Sequence, residues 1–213
     1  LTLASVGVFA FAIRNAVAVR ALGKQSASNT VETPASGRSV LITGATGFIG
    51  SALVERFLSR GDRLFVLTRD ARQSRAQFGD RVHHVEDLDL LPAETRIDAI
   101  VNLAGAPIIG LPWTRARRRQ IWRSRVDLTE RLACWMSALE NAPSVLVSAS
   151  AIGFYGDKAD DAVSESGGVG QGFGAELCSA WEQAANSASA NGTRVVDLRI
   201  GLVLDKAGGP LPL

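Results

Sequence analysis

The sequence predicts an α/β fold with a doubly wound parallel sheet, the Rossmann arrangement, from three observations. From residue 38 onwards, short runs of β-branched and leucine residues alternate with amphipathic segments, which is typical of parallel strands joined by helices. The first run, VLIT at residues 40–43, leads directly into glycines spaced G-x-x-G-x-x-G. A helical pattern follows at once, so these glycines occupy a turn between a strand and a helix, where dinucleotide-binding domains carry them.

The remaining elements follow in alternation along the chain. Strands are predicted at residues 40–43, 63–68, 81–85, 97–103, 144–148 and 193–200. Helices are predicted at residues 51–60, 71–78, 114–140 and 174–190. The third helix is expected to be one long element capped by Thr114, because apolar residues continue through it at spacings of three, four and seven. Those residues are Ile121, Leu128, Leu132, Met136 and Leu139.

Two segments precede the predicted domain, which we place at residues 38–213. Residues 1–22 are strongly apolar, and three hypotheses stay open for them: the end of a transmembrane helix, a signal or transit segment, or an amphipathic helix that packs on a partner. In the first case Arg14, Arg20 and Lys24 lie on the cytoplasmic side. Residues 23–37 are small and polar, which predicts a flexible linker. Because the chain begins with Leu1, we expect a longer product, and we expect the domain to be incomplete at its carboxyl end.

The net charge, the cysteines and the histidines each bear on which partners and sites are expected. The net charge of +2 gives no reason to expect a nucleic-acid partner. Cys134 and Cys178 are far apart in predicted helices and form neither a disulfide framework nor a metal motif. His83 and His84 are adjacent in a predicted strand, so no metal site is expected. We therefore expect a cytoplasmic protein, with membrane association through the residues before Lys24 as the open alternative.

Each glycine of the motif has a predicted role. Gly44 permits the turn, Gly47 lets phosphates approach the backbone, and Gly50 lets the helix pack close to the strand. The N–H groups of such a turn lie at the positive end of a helix dipole, which favours a pyrophosphate. A tight turn without a ligand is the less favoured interpretation.

The end of the second strand indicates which dinucleotide binds. An acidic side chain there accepts from the ribose hydroxyls of NAD, whereas an arginine suits the 2′-phosphate of NADP. Arg69 occupies this place, so NADP is favoured and NAD stays the alternative. Asp70 follows directly, and Arg69 as an ordinary solvated residue is the competing hypothesis. At the end of the fourth strand, small residues at 104 and 105 let a cofactor pass over the edge of the sheet.

Several motifs then agree on one family. TGATGFIG at 43–50, LTRD at 67–70, DAIVNLAGAPI at 98–108 and SASAIGFYG at 148–156 resemble the extended short-chain dehydrogenase/reductases. The Ser124-Arg125 pair, LCSAWE at 177–182 and RIGLVL at 199–204 resemble the atypical epimerase-like branch of the NAD-dependent epimerase/dehydratase family. The resemblance covers residues 38–213 and implies a Rossmann fold that binds NADP. By position it implies cofactor contacts from Gly44, Thr46, Gly47, Phe48, Ile49, Thr68, Arg69, Leu103, Ala104 and Arg125, and Gly50 and Gly105 complete the predicted set.

Arg125 ends an arginine-rich stretch, RARRRQIWRSR at residues 115–125. We expect the side chains of Arg115, Arg117, Arg118 and Arg119 to form a solvated face. Arg125 is closer to the apolar stripe and is predicted to aim its planar donors at a phosphate or ribose.

Catalysis is the open question. In the superfamily that the motifs resemble, a tyrosine exchanges the proton of the substrate hydroxyl, a lysine four residues later assists it, and a serine orients the substrate oxygen. Tyr155 is the single tyrosine, and Ala159 stands four residues after it. The usual dyad position, near residues 173–178, holds neither residue type. Ser150 is therefore predicted to orient the substrate, and Tyr155 to act as acid and base.

Two functions remain. The first is an NADP-dependent oxidoreductase or epimerase that acts on a small carbonyl or sugar-like substrate. The second is a non-catalytic NADP-binding protein, tethered to a membrane, that senses redox state or organises partners. The missing dyad favours the second, whereas the glycine turn, Arg69 and the Ser/Tyr cluster together favour the first.

Overall fold

The structure is a computed structural model that describes residues 37–92, 94–108 and 112–204. One parallel sheet with the strand order β3-β2-β1-β4-β5-β6 forms its centre. This order confirms the predicted doubly wound arrangement, in which the chain reverses direction across the sheet between β1 and β4. The strands are β1 (Ser39–Thr43), β2 (Arg63–Leu67), β3 (His83–Val85), β4 (Ala99–Asn102), β5 (Val145–Ala151) and β6 (Arg194–Ile200).

Five α-helices of the described residues cover the two faces of this sheet. They are α1 (Phe48–Ser59), α2 (Ala71–Phe78), α3 (Arg115–Arg123), α4 (Val126–Ser137) and α5 (Phe173–Asn186). Single 3-10 turns lie at Gly79–Arg81, Leu88–Leu90, Ile152–Tyr155 and Ser187–Asn191. No helix among the described residues has both the length and the apolar character needed to cross a membrane. The apolar segment at 1–22, with its three open hypotheses, and nearly all of the predicted linker lie outside the described residues.

The prediction of one long helix over 114–140 is wrong, because the helix is interrupted at Ser124 and Arg125. Ser124 Oγ donates to the carbonyl oxygen of Ile121 (2.9 Å), and Arg125 directs its guanidinium to the carbonyl oxygen of Ala106 (3.1 Å). Side-chain bonds of this kind compete with the helical backbone pattern. Thr114 caps α3 as predicted, accepting from the N–H of Arg117 (3.2 Å).

The core consists of two apolar layers, one on each face of the sheet. Leu41 of β1 faces the layer that contains Leu132 and Met136 of α4. Ile42 faces the opposite layer, which contains Val54 of α1. Both faces of the central strands are thus buried, which explains their uninterrupted apolar runs. In doubly wound sheets, ligands bind outside the carboxyl ends of the strands, at the point where the strand order reverses.

A buried polar network joins the ends of β1, β4 and β5 to the helices behind them. The Asn102 side-chain amide accepts from Thr43 Oγ1 (2.7 Å) and donates to Thr129 Oγ1 (2.8 Å) and Ser148 Oγ (3.2 Å). Trp181 Nε1 of α5 also donates to Thr129 Oγ1 (3.0 Å). Because each group is buried and has a partner, the network fixes the relative positions of these five elements.

The charges on α3 oppose its stability. Arg115, Arg119 and Arg123 repeat at spacings of four on its exposed face, and its first turn contains no acidic residue. Like charges four residues apart repel on a helix surface, and positive charge in the first turn opposes the helix dipole. Among the described residues, no acidic side chain pairs with these three arginines.

Thr129→Val tests the buried network. Valine keeps the shape of threonine but removes the acceptor of Asn102 Nδ2 and Trp181 Nε1, so we expect the free energy of unfolding to fall by about 2 kcal/mol. Urea denaturation measures this, with an unchanged slope against urea concentration. Thr129→Ser, which retains the hydroxyl, should cost about 1 kcal/mol. Equal losses in the two variants would show that packing rather than hydrogen bonding stabilises this point.

Arg119→Glu tests the charge arrangement of α3. The substitution replaces two repulsive spacings with two attractive ones, so we expect the free energy of unfolding to rise by about 1 kcal/mol. Arg119→Gln, which removes repulsion without adding attraction, should give about half this gain. A lower stability of the glutamate variant in urea denaturation would contradict the assignment of this face as mutually repulsive.

Candidate functional site

The glycine turn joins β1 to α1 and packs against the end of β4. Gly44 has a φ of +70°, and a Cβ on it would lie 2.7 Å from the carbonyl group of Leu103. A Cβ on Gly50 would lie 2.2 Å from the carbonyl oxygen of Gly44. The fold itself therefore requires both glycines. Gly47 is exposed and would meet only the carbonyl oxygen of Gly44, at 3.2 Å, so its outer side is open to a ligand.

The first turn of α1 presents backbone donors at this place. Gly47 is the N-cap residue, no side chain caps the helix, and no acidic residue lies in its first turn. Amides at a helix start lack partners within the helix and lie at the positive end of its dipole. Thr46, Phe48 and Ile49 are half-buried around the turn. The arrangement fits a pyrophosphate, as the glycine spacing predicts.

At the end of β2, the carboxylate of Asp70 is already hydrogen-bonded within the fold. Asp70 caps α2 by accepting from the N–H of Gln73 (2.9 Å), and its own N–H binds Thr68 Oγ1 (3.1 Å). Arg69 stands between them with an exposed side chain. The carboxylate is therefore held as a helix cap, while the guanidinium is free to meet an anion at the strand end.

The end of β4 lies against Arg125. Thr43 Oγ1 accepts from the N–H groups of Leu103 and Ala104, each at 3.1 Å, which holds the chain as it leaves the strand. A Cβ on Gly105 would lie 2.8 Å from the guanidinium carbon of Arg125, so this glycine admits the arginine. The guanidinium also lies 5.3 Å from the centre of the Trp181 ring. Burial lowers the pKa of Arg125 from its ordinary value.

Ser150, at the end of β5, belongs to a charged cluster that the sequence did not predict. Its hydroxyl donates to Glu182 Oε1 of α5 (2.6 Å). Arg199 of β6 binds the same carboxylate through two donors, each at 2.8 Å. The side chains of Glu182 and Arg199 are only 11% and 21% exposed, so water screens the pair little. These hydrogen bonds raise the pKa of Arg199 further above its ordinary value.

Tyr155 is part of the same cluster. Its phenolic oxygen accepts from Arg199 Nη1 (2.8 Å), and its side chain is buried. Arg199 also lies over the Phe154 ring at 3.6 Å and donates to the carbonyl oxygen of Glu165 (2.9 Å). One guanidinium thus joins α5, the turn after β5 and the loop that follows it.

Cys178 is buried on α5, the helix that also carries Glu182. Its sulfur is 3.7 Å from the place that a Cβ of Gly153 would take. Burial raises the pKa of the thiol, so it stays protonated at neutral pH.

The structure thus connects most of the predicted site residues at one edge of the sheet. Gly44 lies against Leu103, and Gly105 lies against Arg125. Arg125 lies over the ring of Trp181 on α5, the helix whose Glu182 binds Ser150 and, through Arg199, reaches Tyr155. Arg117, which the sequence assigned to a solvated face, is half-buried and donates to the carbonyl oxygen of Pro107. Sequence reasoning missed Asn102, Glu182 and Arg199. The signals for them were a polar residue at the end of an apolar strand, and a glutamate and an arginine inside otherwise apolar helix and strand patterns.

Comparisons with known proteins bear on this arrangement. The pattern of the NAD dependent epimerase/dehydratase family matches residues 40–204. An epimerase family protein of Mycobacterium bovis is 37% identical over 174 residues, which cover 81% of this chain and 56% of the relative. The chloroplastic SDR39U1 homologue of Arabidopsis thaliana is 35% identical over 181 residues, which cover 82% of this chain and 52% of the relative. The chain therefore spans about half the length of the curated relatives it matches.

Two solved structures have a similar fold. The human epimerase family protein SDR39U1, crystallised with NADPH, has a TM-score of 0.66 and 29% identity, covering 80% of this chain and 56% of the human one. A nucleoside-diphosphate sugar epimerase from Corynebacterium glutamicum has a TM-score of 0.67 and 30% identity, covering 82% of this chain and 36% of the other. With its parallel sheet, its glycine turn and these matches, the chain belongs to the NAD-dependent epimerase/dehydratase family.

Proposed function

We propose that the protein binds NADP and acts as an oxidoreductase or epimerase-like enzyme on a small carbonyl or sugar-like substrate. The observation that carries the cofactor choice is the end of β2, where Asp70 is engaged as the cap of α2 and Arg69 is exposed. An exposed guanidinium there favours a 2′-phosphate over a free ribose hydroxyl. The relative crystallised with NADPH supports the same choice.

Each part of the edge has a role in this proposal. The amides of the glycine turn and of the first turn of α1 would bind the pyrophosphate. Arg69 would bind the 2′-phosphate, and Thr68 would line the adenosine side. Leu103, Ala104 and Gly105 would form the floor along which the cofactor crosses β4. Arg125 would place a positive charge beside the end of that strand.

The nicotinamide of the bound cofactor would supply the hydride chemistry, and the residues around Ser150 would handle the proton. Ser150 Oγ donates to Glu182, so the lone pairs of the serine oxygen are what a substrate hydroxyl would meet. A hydroxyl that donates to Ser150 could pass its proton through the serine to the carboxylate. Tyr155, paired with Arg199, stays the second acid–base group of the proposal.

A non-catalytic NADP-binding protein is the second candidate function. The observation that favours it is that Ser150 and Tyr155 are both buried and both bonded to neighbouring side chains. Residues held in this way stabilise a fold as readily as they serve a reaction. Turnover by the full chain separates the two functions.

Arg69→Ala tests the cofactor assignment. Loss of a charge-assisted contact to the 2′-phosphate should weaken NADPH binding by roughly 10- to 100-fold and leave NADH binding nearly unchanged. Titration of cofactor fluorescence measures both affinities. Arg72→Ala removes an exposed arginine from the neighbouring helix and is the matched control. Equal losses for NADPH and NADH in the Arg69 variant would contradict NADP selectivity.

Tyr155→Phe and Ser150→Ala test the chemistry. We expect each to reduce turnover by at least about 100-fold, because each removes a group that positions or transfers the substrate proton. A panel of carbonyl compounds and nucleotide sugars is first incubated with the full chain and NADPH, and products are followed by mass spectrometry. NADPH affinity should stay the same in both variants. Unchanged turnover in Tyr155→Phe would assign the acid–base role to another residue, and no turnover of any compound by the unaltered protein would favour the non-catalytic function.

A further inference from the structure

Three arginines of α3 form an exposed row that the proposed enzyme does not use. Ile121 anchors this helix from the opposite side and is fully buried in a cluster with Leu177 and Trp181. Residues four apart on a helix lie above one another, about 6 Å apart along its axis. Arg115, Arg119 and Arg123, here called the arginine stripe, therefore face solvent in a line.

Nothing in the described part of the chain neutralises the arginine stripe. The helix contains no acidic residue, and the ion pairs among the described residues involve other arginines. Two neighbours on α3 have contacts within the fold: Arg117 binds Gln120 Oε1 (2.6 Å), and Arg118 lies 5.2 Å from the centre of the Phe173 ring. The stripe has no such contact and opposes the stability of its helix, so its charges are suited to a partner outside the domain.

Aromatic and apolar side chains flank the stripe. Trp122 is half-buried next to Arg123 on α3. Trp113, just before the helix, donates its indole N–H to the carbonyl oxygen of Ile108 (3.0 Å), and the Ile108 side chain is 41% exposed. Both indoles also pack against the buried cluster of Ile121, Leu177 and Trp181, so they connect the helix to the core. The part of this surface that an anionic membrane would attract is therefore the row of exposed guanidinium groups.

We propose that the arginine stripe docks on a bilayer surface that carries anionic phospholipid headgroups. The charge of the stripe is complementary to such a surface. The sequence also places a strongly apolar segment, residues 1–22, ahead of the domain. If that segment enters a bilayer, only residues 23–37 separate it from the predicted domain, which keeps the domain close to the same surface. The low net charge of +2 is unlike that of a nucleic-acid-binding domain.

The test is co-sedimentation of the full chain with vesicles of pure phosphatidylcholine and of phosphatidylcholine mixed with phosphatidylglycerol. Binding to the neutral vesicles measures any charge-independent contribution of residues 1–22. The ratio of the two affinities measures the charge-dependent part of binding, and the fall of this ratio in the stripe variant measures the contribution of the stripe. The triple variant Arg115→Gln, Arg119→Gln, Arg123→Gln removes the stripe. The control Arg56→Gln, Arg75→Gln, Arg194→Gln removes the same charge from exposed arginines on other elements.

We expect the unaltered protein to prefer the anionic vesicles, with a preference that weakens as salt increases. The stripe variant should lose roughly 100-fold of this preference, and the control should retain it. The proposal is overturned if the unaltered protein shows no preference, or if both triple variants lose it equally. Tighter binding of the unaltered protein to a single-stranded RNA oligonucleotide than to the anionic vesicles would also overturn it. Urea denaturation checks that the stripe variant is folded.

Discussion

The hydrogen bonds of the Asn102 side chain are the constraint on which the rest of the site depends. A parallel sheet and its helices can slide past one another while still burying apolar surface, because the hydrophobic effect has no direction. An amide has distinct donors and acceptors, and here it must match Thr43 on one side and Thr129 and Ser148 on the other. Since an unsatisfied buried group costs about 1–3 kcal/mol, only one alignment of these elements satisfies all of them. That alignment places the end of β4 directly beside the glycine turn.

The ion pair of Glu182 and Arg199 likewise fixes the positions of β5, α5 and β6 relative to one another. Burying two charges is unfavourable unless geometry and further hydrogen bonds compensate for it. Here the carboxylate receives three donors, and the guanidinium also binds Tyr155 and stacks on Phe154. Removing one partner alone would leave a buried charge unpaired. The pair therefore locks Ser150 and Tyr155 into one arrangement, which is the kind of preorganisation that a reaction centre needs.

The sequence was sufficient for the architecture because its signals are local. Glycine spacing and alternating apolar patterns depend on neighbours along the chain, and they predicted the doubly wound parallel sheet. The interruption after Ser124 was invisible to them, since the apolar spacing from Ile121 to Leu128 continues through it. The cause is a contact of Arg125 with Ala106, far along the chain. The pair of Glu182 and Arg199 is equally non-local, because it needs α5 and β6 to be placed side by side. The capping role of Asp70, by contrast, was readable from the Gln73 that follows it three residues later.

The distribution of charge along the sheet edges explains how one face becomes suited to an anion. At the amino edge, Asp62 and Asp98 accept from the backbone N–H groups of Arg38 and Ser39, so their charges hold the entry of β1. At the carboxyl edge, Asp70 caps α2 and Glu182 is paired with Arg199. These four carboxylates are thus hydrogen-bonded within the fold. The Arg69 side chain is exposed to solvent, and the first turn of α1 has neither a side-chain cap nor an acidic residue. The proposed attraction for a phosphate-bearing ligand therefore depends on which acids the fold engages rather than on the net charge of the chain.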